Sequence, residues 1–598
     1  MSTQFRPLEI PPGVVATATK KMRSSNWAEV NLCRWVEGQL APVGGQAQYA
    51  YPAFASRCRK VHGWYGLDGI HYIAYLCETN IYVDIGGVLT DITPVDGMIA
   101  PLPVGEGGYS DGVYSAGAIF AATAGFAAGS VDIPVTTDLG LIWPGMSVFD
   151  MTIGPADDPP LVGMVAAFDG TTVTLAAGAA IDSAGAGDAL MFSAYSEPRP
   201  SSLIPIDRLP NAWSLANFGQ VLLAMTSPDG RLLEWDPSGG GTGVAPAAMT
   251  EVTSDDTGTG VAPRGRLFVV TQERFVVIFG MVDDGTLGQG SFRRFGWCDQ
   301  ENYHAWDFSN VTSQAGFLDI EPASPIVAAI ATRNGTVFFT AHKAYVSNFL
   351  GIPYVYNYVE LGANCTPWSP ESIITTSEMV VWFSQQGLFS YDGTSMLPVA
   401  CKVRAWIDDD IDLVNVREQA CMVHVGNFNE IWWFFPQLGQ PYNTRCVIYC
   451  YKEGWWSQGR MSRSAGITAS FTAQTIMADG VVAYEHELGQ FYNGAQLPFA
   501  ETFDLNLTNG ARLITVKQMM PDVEGGVDNL RYSLFYRNSR STGAPELQTA
   551  PRPVRDDGFV DFRTTGRDIR LKIEVTASPV LPWTVGQHLV DSVVRGDR

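Results

Sequence analysis

Basic charge is scarce in this chain, and so are histidine and any long apolar run. Lys and Arg total 38 against 61 Asp and Glu in 598 residues, a formal net charge of −23. That balance excludes broad electrostatic adhesion to nucleic acid, because phosphate binding depends on Lys and Arg neutralising the backbone. It leaves room for nucleic acid that passes without sticking. Cysteines number nine, an odd count with no CxxC. Cys446 and Cys450 fall four apart on one face of a predicted strand, a separation beyond disulfide reach. Free thiols made in a reducing cytoplasm are the expectation. The opening MSTQFRPLEIPPG has neither the basic start nor the apolar run of a signal peptide. The longest apolar candidate, Ala116 to Ala128, is Ala- and Gly-rich and too short to span a bilayer, so no membrane segment is expected. GxxxxGK[ST], HExxH, GxSxG and the EF-hand pattern are all missing.

What the chain has is glycine (61), proline (36) and 11% aromatics. From Arg264 to Gly494 it repeats one unit: an apolar strand, a turn, a second apolar strand, then an aromatic before Gly or Asp. The copies include RGRLFVVTQERFVVIFG, SIITTSEMVVWFSQQGLFSYDG and QACMVHVGNFNEIWWFFPQ. Val, Ile, Phe, Tyr and Trp dominate the strands, and Gly, Asn or Asp the turns. No helical spacing competes over a comparable length. A period of roughly 40 to 55 residues is what radial repetition of four-stranded blades with unequal loops produces. The expected fold is all-β: a β-propeller with an inserted small β-domain and a C-terminal β-sandwich-like domain.

Five segments follow from changes of texture. Residues 1–22 read as an extended arm and 23–117 as the first part of the propeller, with EGQ (37–39) a hairpin tip and Gly66–Gly69 and Gly86-Gly87 turns. Residues 118–192, rich in Ala and Gly and nearly free of basic residues, read as an inserted β-domain with a hairpin at Asp169-Gly170. Residues 193–500 continue the propeller, with a two-strand unit turned at Asp229-Gly230 and a loosely packed loop from Ser238 to Pro263. Residues 501–598 change character. There Ile569, Leu571, Ile573 and Val575 alternate with Arg570, Lys572 and Glu574, a half-exposed strand. Basic residues concentrate between Arg531 and Lys572.

Candidate chemistry is thin. The histidines (62, 71, 304, 342, 424, 486, 588) are scattered and read as ordinary strand or turn residues. Asp408, Asp409, Asp410 and Asp412 could hold a divalent cation, yet lack the Gly and spaced oxygens of a calcium loop, so a solvated acidic turn is expected. Trp432-Trp433 and Trp455-Trp456 could stack sugars. Neighbours on a strand face opposite ways, so one of each pair is expected in the core and the other at a blade contact or the surface. Asn310, Asn334 and Asn506 begin sequons that matter only after secretion. Propeller glycosidases use two carboxylates, and sequence alone cannot pair any here. No catalytic, cofactor-binding or metal-binding residue is assigned, and no cofactor is expected.

One segment is more specific. FRRFGWCDQENYHAWDFSNVTSQAG places Trp297, Asp299, Gln300, Asn302 and Trp306 in a spacing that resembles tail proteins of bacteriophages. The opening NWAEVNLCRWVEGQLAPVGG, with Trp27, Asn31, Arg34, Gly38 and Gly44, is similar to their start, and TGRDIRLKIEV to their closing strand. Together these resemble the tail nozzle, or packaged-DNA stabilisation (tail-closing), proteins of short-tailed phages. Cys298 stands where the family has Ser, and the insert from about Ala118 is not a general family feature. The resemblance implies a structural virion protein, assembled in the host cytoplasm. It would form a homohexameric ring below the portal and head–tail adaptor that lines and closes the DNA exit channel until ejection. The implied partners are further copies of the chain, the adaptor, tail fibre, tailspike or needle proteins, and genomic double-stranded DNA held without sequence-specific binding. The competing reading is a receptor- or glycan-binding tail propeller, with or without glycan hydrolase activity; a hub of a longer tail is a third.

Overall fold

The computed structural model describes residues 5–17, 24–98, 117–135, 146–150, 152, 160–168, 172–193, 209–227, 229–239, 246–254, 260–281, 292–309, 312–321, 324–467, 474–492, 496–505, 507, 512–538 and 545–595. The chain divides into two compact units. One comprises Met1–Gly63, Thr376–Asp392 and Leu397–Arg598, the other Trp64–Thr375 and Gly393–Met396.

In the second unit, four-stranded antiparallel meanders follow one another in chain order. Trp213–Phe218, Val221–Thr226, Leu233–Trp235 and Thr250–Glu251 form one; Leu267–Val270, Val276–Phe279, Arg294–Trp297 and Gly316–Asp319 the next; Ile326–Thr332, Gly335–Thr340, Lys343–Phe349 and Tyr356–Ala363 a third. Alternation along a strand explains how they pack. Leu222 and Ala224 join a core with Tyr72, Leu76 and Val83, whereas Leu223 and Met225 face a second core with Phe268, Phe295 and Phe338. Successive side chains point to opposite faces, so an inner strand buried on both sides must be apolar throughout. In the first unit Cys421–Val425, Glu430–Pro436, Asn443–Cys450 and Trp456–Gly459 repeat the pattern, and every residue of Glu430–Pro436 is buried. The last meander, Ala465–Ile467, Ile476–Asp479 and Val482–His486, takes its fourth strand, Gln46–Gln48, from near the start of the chain. Two further four-stranded meanders are Cys58–Tyr65, His71–Cys77, Ile81–Ile85 and Val88–Asp91, and Ile373–Thr375, Val380–Ser384, Gly387–Tyr391 and Met396–Val399. This succession is a β-propeller.

Between Gly117 and Ser193 a six-stranded antiparallel sheet has its own core, including Ile133, Val148, Val173 and Phe192. A bridge between Ala122 and Val135 links its two edges and closes it on itself. The expected turn at Asp169-Gly170 lies outside the described residues, though Phe168 pairs with Val173 across it.

The end of the chain forms a two-sheet arrangement. Phe5–Leu8, His588–Val594, Ile514–Met520 and Val560–Gly566 make one sheet; Trp27–Asn31, Phe499–Thr502, Asp568–Val575, Leu530–Arg537 and Leu547–Gln548 make the other. In Asp568–Val575 the even positions face outward and Ile569, Leu571, Ile573 and Val575 inward, as the alternation requires. Part of the basic stretch is paired in place: Arg570 pairs with Glu501 and Glu546, Arg537 with Glu546, Arg555 with Asp557 and Asp561, and Lys572 with Glu574.

Three expectations need correction. The propeller was expected to begin at residue 23, but Trp27–Asn31 pairs with Phe499–Thr502, and Cys33–Val36 with Gln39–Pro42 extends to Trp583–Val585. These early strands belong with the C-terminal ones because backbone pairing is open to strands far apart in sequence. The unit expected to turn at Asp229-Gly230 has three longer strands, with an extra turn at Gly219, and Thr250–Glu251 adds a fourth. The loop from Ser238 to Pro263 is not loosely packed throughout, since Met249, Val252 and Ala262 are buried.

His588, 2% exposed, sits edge-on to Tyr532 with neither ring nitrogen hydrogen-bonded. Burial lowers its pKa from 6.5 to about 4. Above pH 6.5 both folded and unfolded chains hold it neutral; below, only the unfolded chain takes up the proton, so stability falls until about pH 4. The loss assigned to this side chain is about 3 kcal/mol. Urea unfolding across pH 7 to 4 is expected to fall less steeply by that amount in His588→Gln.

Candidate functional site

A concentrated buried polar arrangement lies in the first unit and starts from the opening segment. Trp27 packs at 6.3 Å from Trp35, which meets Trp455 edge-on at 5.4 Å between ring centroids. Asn31 donates to the carbonyls of Gln496 (2.9 Å) and Leu497 (3.1 Å) and accepts the Arg460 N–H at 2.7 Å. Glu37 and Gly38, both at positive φ, turn the hairpin between Cys33–Val36 and Gln39–Pro42.

Arg34 is 2% exposed. Its Nη2 donates to Glu430 Oε2 at 3.0 Å and Glu487 Oε1 at 2.6 Å, its Nε lies 2.9 Å from Glu430 Oε1, and its guanidinium carbon stands 3.6 Å from the Phe428 ring centre. Glu430 also accepts from Trp432 Nε1 at 2.8 Å. The second oxygen of Glu487 accepts the Gly44 N–H at 2.9 Å; a Cβ at position 44 would lie 2.4 Å from that oxygen, so only glycine fits. Burial by itself lowers the Arg34 pKa, but Glu430 and Glu487 outweigh it and raise the pKa above the ordinary value. Burial likewise pushes the Glu430 carboxyl up, against the pull of Arg34. We take the cluster as ionised, because Arg34 has two carboxylates on it and no other charge partner could hold it buried.

Beside it, Arg463 donates through Nε to His486 Nε2 at 2.9 Å and through Nη2 to Gln46. Burial, then Arg463 and Arg34, hold His486 well below its ordinary pKa, so it accepts as a neutral ring. Gln46 stands on the strand that completes the last meander, so the polar cluster and the backbone pairing fix the same junction.

The second segment, in the other unit, is equally structural. Asp299 Oδ1 accepts from Ser313 Oγ and the Ala315 N–H, both at 2.9 Å, and from the Gln314 N–H. Gln300 donates to the Glu273 carbonyl at 3.0 Å, Trp297 to Gln314 at 2.8 Å and Trp306 to Tyr303 at 2.7 Å, while Asn302 Oδ1 accepts the His304 N–H at 3.1 Å. Cys298, buried, accepts the Val276 N–H on Sγ at 3.1 Å. Arg294 reaches Asp319 at 2.8 Å and holds that carboxyl below its ordinary range.

Other sequence candidates resolve differently from expectation. Asp408 and Asp410 lie on a helix, Arg404–Asp410, and pair with Arg404 and Arg445, each at 2.7 Å. Asp412 is buried rather than solvated, because its carboxylate accepts the N–H groups of Val414, Asn415 and Gly439. Trp432, Trp433, Trp455 and Trp456 are all at most 3% exposed, so none of them presents a surface platform. Trp433 stacks on Phe383 at 4.1 Å, for both faces of its strand are covered. All nine cysteines are free, eight of them buried. Among the described residues no group of three or more His, Cys, Asp or Glu could hold a metal, and no helix is long and apolar enough to cross a membrane. Asn334 is described; Asn310 and Asn506 lie outside the described residues.

Sequence reading singled out Arg34 but not Glu430 or Glu487, hundreds of positions away. A glutamate opening the apolar run IWWFF was the one available hint. Chemically the cluster is closed: the guanidinium fills the space between two carboxylates that a substrate would need.

No family model matches the chain, and no curated protein matches it. Among solved structures, one of a variant S. cerevisiae Dbp5 bound to Nup159, a variant Gle1, IP6 and ADP aligns at 10% identity and TM-score 0.27, over 49% of this chain and 74% of the other. An exo-β-1,3-galactanase from Phanerochaete chrysosporium aligns at 9% identity and TM-score 0.20, over 63% and 95%. A structure titled glycoside hydrolase aligns at 10% identity and TM-score 0.18, over 63% and 84%. Likeness this weak carries no argument about activity.

Removing one partner of a buried ion pair costs about 3–5 kcal/mol, because the other charge is left unpaired. Arg34→Met is expected to lower unfolding free energy by that much at pH 7 in urea titrations. Arg34→Met combined with Glu430→Gln and Glu487→Gln should regain most of it. Equal losses in both variants would refute the ionised latch.

Proposed function

We propose that this chain is a structural virion protein, a tail nozzle subunit of a short-tailed bacteriophage that acts without catalysis. The observation that carries the reading is the use made of the two segments that resemble that family. Asn31, Arg34, Gly44, Asp299, Gln300 and Trp306 all go into hydrogen bonds, ion pairs and close packing within the fold. Residues so employed suit a wall element better than a reactive centre.

In this reading six copies form a ring beneath the head–tail adaptor, meet tail fibre, tailspike or needle proteins, and surround the genome in the virion. Charge supports it. A surface short of Lys and Arg releases few counterions on meeting DNA, so a duplex gains little by adhering and can slide. Ion pairs within the C-terminal sheets, Arg537, Arg555 and Arg570 among them, weaken the one locally basic stretch as a DNA contact. Retention is then mechanical, by a narrow passage.

Electron microscopy of the assembled particle is expected to reveal a six-fold ring of the 64.9 kDa chain. The purified protein should leave duplex DNA unshifted on a gel even at low salt. A monomer or trimer that hydrolyses a glycan, with turnover abolished by changing one acidic side chain, would overturn the proposal.

A further inference from the structure

Residues 5–12 form an arm held to the first unit by very little. Phe5–Leu8 adds to the edge of His588–Val594 in antiparallel register, with Phe5 opposite Asp591 and Leu8 opposite His588. Of these four arm residues only Leu8 is buried. Pro7 has no N–H to give the ladder, and the Phe5 ring meets Phe559 at 6.0 Å between centroids. Glu9, Pro11 and Pro12, which follow, are exposed. There the chain becomes fixed. Gly13 has φ +94°, a Cβ on it would lie 3.0 Å from Trp455 Cβ, and Val14, fully buried, donates its N–H to the Trp456 carbonyl at 2.8 Å. A segment with so little buried, ending at a fixed point, opens at low free-energy cost.

What the arm covers is His588. Directly opposite residues of an antiparallel pair project to the same face, so the Leu8 side chain lies over the imidazole from the sheet edge. Both residues line a cleft whose one wall is the arm from Leu8 to Pro11. The ring is 2% exposed, with neither nitrogen hydrogen-bonded and Tyr532 edge-on to it. The charged and titratable groups around it are Arg6 and Glu9 on the arm, Tyr532, and Glu37 and Asp522 at the cleft; Asp591, three residues on, lies 4.0 Å from Lys517. Among the described residues none of these forms an ion pair with the ring, and burial by itself holds its pKa at about 4.

We propose that residues 5–12 are a proton-gated strap, which swings out about Gly13 when His588 takes up a proton. With the strap out, the imidazole meets water and titrates at its ordinary 6.5; with the strap docked it stays neutral down to about pH 4. The open form therefore binds the proton first. The ratio of open to docked strap rises as pH falls through 6.5 and levels off near 4. Between pH 7 and 5 that linkage amounts to about 20-fold. Opening also frees the backbone edge of His588–Val594, where an added strand can pair. The strap needs only the arm and the strand it pairs with, and works the same whether or not the chain is a nozzle subunit.

The test is fluorine NMR of the full chain carrying trifluoromethylphenylalanine at position 5, where a ring docked beside Phe559 and a free one give separate signals. The free-to-docked ratio is expected to rise about 20-fold from pH 7 to 5 while the far-ultraviolet circular dichroism stays native. Leu8→Ala should raise the ratio at pH 7 at least fivefold and keep the pH dependence. His588→Gln, alone or with Leu8→Ala, should make the ratio independent of pH. The Leu8→Ala comparison needs no change at His588, so it decides the matter even if the His588 variants do not fold. A ratio in Leu8→Ala that is flat with pH or no higher at pH 7 overturns the proposal. So does an equal rise in the His588→Gln chains, or a rise that comes only with loss of the native dichroism.

Discussion

Arg34, held between Glu430 and Glu487, is the constraint around which the first unit is arranged. Taking three charges out of water costs several kcal/mol per ion, and the cost is offset only when every partner is in place. The guanidinium, the two carboxylates, Trp432 and the Gly44 N–H must therefore assemble together or not at all. That condition ties an early hairpin to strands nearly four hundred residues later. It also places Gln46 where the last meander needs its fourth strand.

The surrounding packing follows from the same constraint on buried surfaces. A meander whose inner strands are covered on both faces cannot alternate apolar with polar residues, and Glu430–Pro436 does not. A lone glutamate among Trp and Phe is tolerable there only because Arg34 meets it. In the second unit Asp299 plays a comparable part without a cation, by accepting backbone N–H groups of a loop that would otherwise bury them unpaired. In both places polar side chains specify register within otherwise uniform apolar sheets.

The charge distribution has the same character. Acidic residues outnumber basic ones overall, and Arg537 and Arg570 of the C-terminal sheets pair with glutamates nearby. Arg34 and Arg570 use their positive charge to join distant parts of the chain. A chain with this net charge is a poor trap for polyanions.

The strand repeat, the turn residues and the altered texture of residues 118–192 were legible from sequence because each is local. Period-two apolar runs, Gly at positive φ and a loss of basic residues need no knowledge of neighbours. So was the outward–inward alternation of Asp568–Val575. Which strands pair across the whole chain was not legible: the assignment of Trp27–Asn31 to the C-terminal sheet, of Gln46–Gln48 to the last meander, and of Glu430 and Glu487 to Arg34 depends on long-range backbone pairing. The tertiary structure alone decided that both tryptophans of each pair are buried and that Asp412 is a buried acceptor, for burial depends on what covers a face, and a strand's own residues do not say what will lie against it.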